Sequence, residues 1–122
     1  MISNFGKNNK KYQWTRHSLA KMKYYGLSQQ RIKRVIKSPN RVEEGIVEKT
    51  IASMQSAGSK NHPYEIWVMY QISKSKAGSE KPKFNFLENN KLKVISAWRY
   101  PGKSPKNNPV PEEILNEIKS LL

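Results

Sequence analysis

Cysteine is absent from this chain, which excludes both a disulfide framework and a thiolate metal site. No spacing of histidine and carboxylate residues resembles a metal site, so we expect neither a metal nor another cofactor. No apolar run approaches the ~18 residues of a membrane span, and residues 1–11 lack the apolar segment of a signal peptide. The expected location is therefore the cytoplasm.

Acidic residues are also scarce. Only 9 Asp and Glu stand against 23 Lys and Arg, which gives a formal net charge of +14 over 122 residues. A chain with this imbalance repels itself unless an anionic partner offsets the charge. Nucleic acid is the leading candidate partner, followed by an anionic membrane surface or an acidic protein chain.

The length predicts one domain with a single modest core. Residues 1–11 are polar and basic and are interpreted as a flexible arm, which leaves residues 12–122 as the domain. The tripeptide at positions 12–14, Tyr-Gln-Trp, favours a short strand ahead of the first helix.

Two short helices are predicted between residues 15 and 38. Thr15 is a good N-cap for the first, and Gly26 suits the left-handed residue that closes it. Ser28 can cap the second helix. Pro39 ends that helix, because the residue before a proline is pushed out of helical geometry.

Period-two patterns follow the helices. One strand is predicted over residues 42–48, with Gly45 as a bulge or turn. Residues 50–54 form either a second strand or a bent extension of the first. The polar segment at 55–63 is rich in Gly, Ser, Asn and Pro and is predicted to be a turn.

Residues 64–72 give the clearest strand, because they are dense in β-branched and aromatic side chains and nearly continuously apolar. A long polar loop at 73–91, docked by Phe84, Phe86 and Leu87, separates it from a strand at 92–100. Pro111 suits the first position of a final helix.

This order of elements predicts an α+β domain, with two N-terminal helices and a C-terminal helix packed on a three- to four-stranded antiparallel sheet. Eight apolar residues are expected to be buried together: Leu19, Met22, Ile32, Ile36, Val68, Ile95, Ile114 and Ile118.

The two-helix stretch also carries a family resemblance. The residues concerned are His17, Lys21 and Met22, then Tyr25, Gly26, Leu27 and Ser28, then Val35 and Pro39. Together they resemble the opening signature of the domain-of-unknown-function family 4258, which is similar to the small RelE- and BrnT-type toxins of the barnase-like ribonuclease group. That family usually has arginine where Lys21 and Tyr25 stand, so one charge is conservatively replaced and one is lost. The resemblance implies a RelE/BrnT-like fold and an RNA-directed activity.

His17 is the first candidate for chemistry. It falls in the first turn of a helix, and Lys21 and Tyr24 lie on the same helix face. Metal-independent RNA cleavage needs a base for the ribose 2′-hydroxyl, cations for the charge on the phosphorane, and an acid for the leaving 5′-oxygen. The pKa of an unperturbed histidine, about 6.5, is near neutral pH, and nearby cations would favour the neutral form of His17. The alternative that His17 is a helix-cap or packing residue stays open.

Arg99 is the second candidate. Adjacent strand residues point to opposite sides of a sheet, so if Trp98 is buried in the core, Arg99 points to the other side. There it could hold a phosphate, or it could be a solvated strand arginine. Ser96 and Tyr100 could add hydroxyl donors at the same sheet end. The predicted catalytic residues are therefore His17, Lys21 and Arg99, converging on a basic concavity between the first helix and the last strand.

Further residues are predicted to contact nucleic acid: Tyr24, Arg31, Arg34, Lys37, Tyr100 and Lys103. Arg31 and Arg34 are interpreted as an electrostatic footprint rather than as chemistry. His62 is interpreted as a surface-loop residue.

Three functions remain open at this point. The first is a small RNA-directed toxin-like domain with metal-independent endoribonuclease activity. The second is a non-catalytic module that binds nucleic acid or a ribonucleoprotein, which the arginine lost at Tyr25 and the absence of a second well-placed acid–base residue favour. The third is an effector domain whose toxicity is masked by an acidic partner chain. The expected partners are RNA or another nucleic acid and an acidic antitoxin or masking chain, with no membrane.

Overall fold

A computed structural model describes residues 11–45, 49–74, 90–107 and 110–121. Several sequence predictions lie outside these residues: the arm at 1–10, the contributions of Ile46 and Glu48, and the loop at 75–89 with Phe84, Phe86 and Leu87. Within the described part, no helix is both long and apolar enough to cross a membrane.

The described chain forms three helices and five strands. In order they are β1 (Tyr12–Trp14), α1 (Arg16–Tyr25), α2 (Gln29–Lys37), β2 (Arg41–Glu44), β3 (Thr50–Gly58), β4 (Pro63–Lys74), β5 (Asn90–Pro101) and α3 (Glu112–Leu121). The α+β class is confirmed.

Local signals fix the ends of α1 and α2. The hydroxyl of Thr15 accepts a hydrogen bond from the Ser18 N–H, and Ser28 does the same for the Arg31 N–H, both at 3.0 Å. Gly26 closes α1 in the left-handed conformation, with φ of 69°. These predicted caps are confirmed.

The sheet differs from its prediction. Its order is β1-β5-β4-β3-β2, and β1 pairs in parallel with β5 while the other pairs are antiparallel. The sheet is therefore five-stranded and mixed, not a three- to four-stranded antiparallel sheet. The short strand predicted at 12–14 is confirmed. Its parallel pairing could not be predicted, because its partner β5 lies at the other end of the sequence.

The β3 strand also corrects a prediction. It is separate from β2 and continues to Gly58, where it pairs with Pro63, so the predicted turn at 55–63 narrows to residues 59–62. The polar residues after Met54 remain in the sheet, because each of them lies opposite a residue of β4.

The sheet has one hydrophobic core on each face. The α1–α2 face buries Met22, Ile32, Ile36 and Val68 among others. The α3 face buries Ile114 and Ile118 with a second set of sheet residues, including the stacked rings of Trp67 and Trp98, whose centroids are 6.1 Å apart. The eight predicted residues therefore do not form one core, because helices cover both faces of the sheet. Two of them, Leu19 and Ile95, are only partly buried.

A polar network holds the segment between β5 and α3 against the second face. The buried carboxylate of Glu65 accepts hydrogen bonds from Trp67 Nε1 (2.8 Å) and Ser104 Oγ (2.6 Å). The Arg41 guanidinium stacks over the Trp67 ring at 4.9 Å and donates to the carbonyls of Ser104 and Pro105. This network fixes the path that brings the chain to α3.

Candidate functional site

The α1 helix runs alongside the second half of β5 and is anchored to it at both ends. At its start, Thr15 Oγ1 lies 3.0 Å from the Val94 carbonyl oxygen and 3.2 Å from that of Ile95. At its end, Arg99 Nε donates to the Tyr25 carbonyl at 2.7 Å. The candidate site lies where this helix, β5 and α3 meet.

An irregularity in β5 determines which side chains face this meeting point. Met69 pairs with Ser96 and Tyr70 pairs with Val94, so Ile95 is an extra residue in the ladder. Such a bulge reverses the alternation of side chains beyond it. Ser96 therefore leaves the face of Val94 and points to the side on which α3 packs.

His17 makes contact with both neighbours of α1. Its Nε2 lies 2.9 Å from Ser96 Oγ and 4.0 Å from Glu117 Oε1 on α3. In the hydrogen bond between His17 and Ser96, the imidazole tautomer decides which atom donates. The side chain is 13% exposed. Burial lowers the pKa of His17; the carboxylate of Glu117 opposes that effect and the ammonium of Lys21 adds to it. The neutral imidazole predicted from the sequence is thus favoured, with burial as the largest cause.

Lys21 lies one turn further along α1 and is almost buried, with a side-chain exposure of 10%. Its Nζ is 3.0 Å from Glu117 Oε1 and 3.3 Å from Oε2. The same ammonium lies 5.1 Å from the centroid of the Tyr24 ring and 5.7 Å from that of Tyr25. One carboxylate of α3 therefore pairs with the ammonium of Lys21 and lies close to the imidazole of His17.

Arg99 occupies a different position from the other two predicted catalytic residues. Trp98 is buried on the α3 face, and Arg99 pairs with Ile66 of the opposite core, as the predicted alternation requires. Its contacts are the Tyr25 carbonyl and the Tyr64 ring, 4.8 Å from the guanidinium carbon. Residues 17 and 25 are about 12 Å apart along a helix axis. The structure therefore brings His17 and Lys21 together and places Arg99 at the far end of α1.

The residues predicted to contact nucleic acid fall into three places. Arg34 and Lys37 are exposed and Arg31 is half-buried on α2. Tyr24 is 72% exposed and lies edge-on to Tyr25 beside Lys21, with ring centroids 4.8 Å apart. The third place is the end of β5, where Tyr100 packs on the α3 core and Lys103 is exposed.

Sequence reasoning missed Glu117, which belongs to the same site as His17 and Lys21. The sequence shows a glutamate at position 117, but its place in the site depends on how α3 crosses the face of the sheet opposite the α1–α2 core. The sequence shows Ser96 only as a hydroxyl at the sheet end, because the alternating pattern does not indicate the bulge that turns it toward His17.

Among the described residues, no group of three or more His, Cys, Asp or Glu side chains is arranged to hold a metal ion. No family model matches the chain, and comparisons with curated proteins and with solved structures give no match either. The resemblance to family 4258 therefore stays a prediction from the residues of α1 and α2.

Proposed function

We propose that this protein acts on RNA as a small toxin-like domain with metal-independent endoribonuclease activity, centred on His17. The observation that carries the proposal is the pairing of a largely buried imidazole of lowered pKa with an ammonium group on the same helix face. A neutral imidazole is a suitable general base near neutral pH, and an ammonium can stabilise negative charge on phosphorus.

In the proposed reaction, His17 takes the proton of the ribose 2′-hydroxyl, and the 2′-oxygen attacks the neighbouring phosphorus. The P–O5′ bond breaks, and the 5′-oxygen is protonated by the His17 imidazolium or by water. The products are a 2′,3′-cyclic phosphate and a 5′-hydroxyl. Lys21 stabilises the charge that develops on the phosphorane, and Ser96 holds the imidazole in place. Arg99 is a positioning residue, since it holds the end of α1.

The charge distribution on α1 and α2 supports RNA as the substrate. Neither helix contains an acidic residue, and the first acidic residue of the chain is Glu43. The exposed cations of α2 and the exposed ring of Tyr24 are suited to backbone phosphates and to an unpaired base, respectively.

The second candidate function is a non-catalytic module that binds nucleic acid or a ribonucleoprotein. One observation favours it: His17 and Lys21 both have intramolecular partners, Ser96 and Glu117. The tyrosine at position 25, where the resembling family usually has arginine, points the same way. An acidic antitoxin or masking chain would suit either function, given the net charge of +14.

The deciding experiment is incubation of end-labelled single-stranded RNA with purified protein in EDTA. Wild-type protein should cleave, and His17→Ala should not, because loss of acid–base catalysis costs ~10²–10⁴-fold in rate. His62→Ala is the matched control, since His62 is an exposed histidine in the β3–β4 turn and its loss should leave cleavage unchanged. Tight binding of RNA without cleavage by wild-type protein would contradict the enzyme proposal and leave the binding module.

A further inference from the structure

The α3 helix is acidic in a strongly basic protein. Its sequence, EEILNEIKSL, holds three glutamates against one lysine, whereas α1 and α2 contain no acidic residue. Of these three glutamates, Glu112 and Glu113 are exposed and Glu117 is partly buried beside α1. One acidic side chain of α3 is thus directed at the candidate site.

Glu117 contacts the two groups of α1 to which the proposed function assigns the phosphate. Its two carboxylate oxygens are 3.0 and 3.3 Å from Lys21 Nζ, and one of them is 4.0 Å from His17 Nε2. Carboxylates and phosphates accept hydrogen bonds from the same cationic donors. Because Lys21 is almost buried, little of its ammonium group is left for a substrate while Glu117 stays in position.

The Glu117 side of the contact is partly open to solvent. Its side chain is 43% exposed overall, although Oε1, the carboxylate oxygen nearest Lys21 Nζ, is itself buried. The attachment of α3 to the sheet depends on Ile114 and Ile118, which are buried in the core of the α3 face. Rotation of the Glu117 side chain away from α1 would free the ammonium and leave those two residues buried.

We propose that the Glu117 carboxylate is a built-in occupant of the phosphate site formed by His17 and Lys21, and that a backbone phosphate of RNA must displace it. This inference rests on the proposed function, since it concerns the regulation of the same site. Glu117 lowers the affinity of the resting protein for RNA, and the site becomes available to a phosphate that nearby cations hold in place.

The test measures binding rather than cleavage, so that its outcome is independent of whether the protein is an enzyme. The probe is a fluorescent 2′-O-methyl oligoribonucleotide, which has no free 2′-hydroxyl. Glu117→Gln should raise its affinity roughly fivefold, which is about 1 kcal/mol at 1.4 kcal/mol per factor of ten and matches a partly exposed ion pair. Glu112→Gln removes the same charge from an exposed position of the same helix and should change the affinity much less.

A second variant locates the effect. Lys21→Gln added to Glu117→Gln should abolish the gain, because the ammonium that the phosphate reaches is then missing. Thermal melts of each variant check that the fold is retained. Three outcomes would each overturn the proposal. Glu117→Gln and Glu112→Gln could bind RNA equally well, the gain in RNA affinity could survive the loss of Lys21, or Glu117→Gln could bind RNA more weakly than wild type. Absence of RNA cleavage by wild-type protein would count against the proposed function and leave this binding test intact.

Discussion

Replacement of Arg99 by alanine should destabilise the fold, because its contacts are structural ones. The Arg99 Nε donates to the Tyr25 carbonyl at 2.7 Å, which satisfies a carbonyl at the end of α1, and the guanidinium stacks over Tyr64. A hydrogen bond with a charged partner contributes ~1.5–3 kcal/mol, and a cation–aromatic contact at an exposed site ~0.5–1 kcal/mol. Since Arg99 is only half-buried, we take a total of about 2 kcal/mol.

Urea unfolding, followed by tryptophan fluorescence, measures this loss. At a slope of ~1–3 kcal/mol per molar urea, a loss of about 2 kcal/mol lowers the midpoint by roughly 1 M. Lys103→Ala is the control, because it removes the same charge from an exposed position just after β5 and should stay within about 0.5 kcal/mol of wild type. An Arg99→Ala protein as stable as the Lys103→Ala protein would refute the assignment of Arg99 to positioning α1.

Three further predictions concern the core, the pH dependence and the charge. Ile36→Ala should cost roughly 2–4 kcal/mol in urea unfolding through lost burial and a residual cavity, whereas Val42→Ala, at a position 56% exposed, should be near neutral. The pKa of His17 is lowered in the fold, so the neutral side chain contributes its full stability to the fold above pH about 6.5, and this contribution is lost as the pH falls through the lowered pKa. Acidification should therefore lower the melting temperature of His17→Gln less than that of wild type. The logarithm of RNA affinity should fall linearly with the logarithm of salt concentration. The double variant Arg34→Ala/Lys37→Ala should reduce the slope by about 1.4, at ~0.7 for each of two phosphates on a single strand. An unchanged slope would exclude both residues as phosphate contacts.

The features that could be predicted from the sequence are local ones. The caps Thr15, Gly26 and Ser28 act on backbone groups within four residues, so their residue types suffice to place the helix ends. The strand at 64–72 is equally clear, because most of its side chains are buried, on both sides of the sheet, and give a nearly continuous apolar run.

The features that escaped prediction depend on contacts between distant residues. The parallel pairing of β1 joins Tyr12 to Leu92, which no local pattern records. A bulge is set by how two strands fit, so the reversal of Ser96 at Ile95 has no signal in the alternation. Glu117 joins the site only because α3 covers the face of the sheet opposite α1 and α2.

The proposed function makes metal-independent cleavage of RNA depend on His17. The most direct measurement is mass spectrometry of the products formed from a single-stranded RNA in EDTA. Wild-type protein should give 2′,3′-cyclic phosphate and 5′-hydroxyl ends, and His17→Ala should leave the RNA uncut with salt-dependent binding nearly intact. Intact RNA in the wild-type reaction, or the same cyclic products from His17→Ala at an equal rate, would contradict the proposed function.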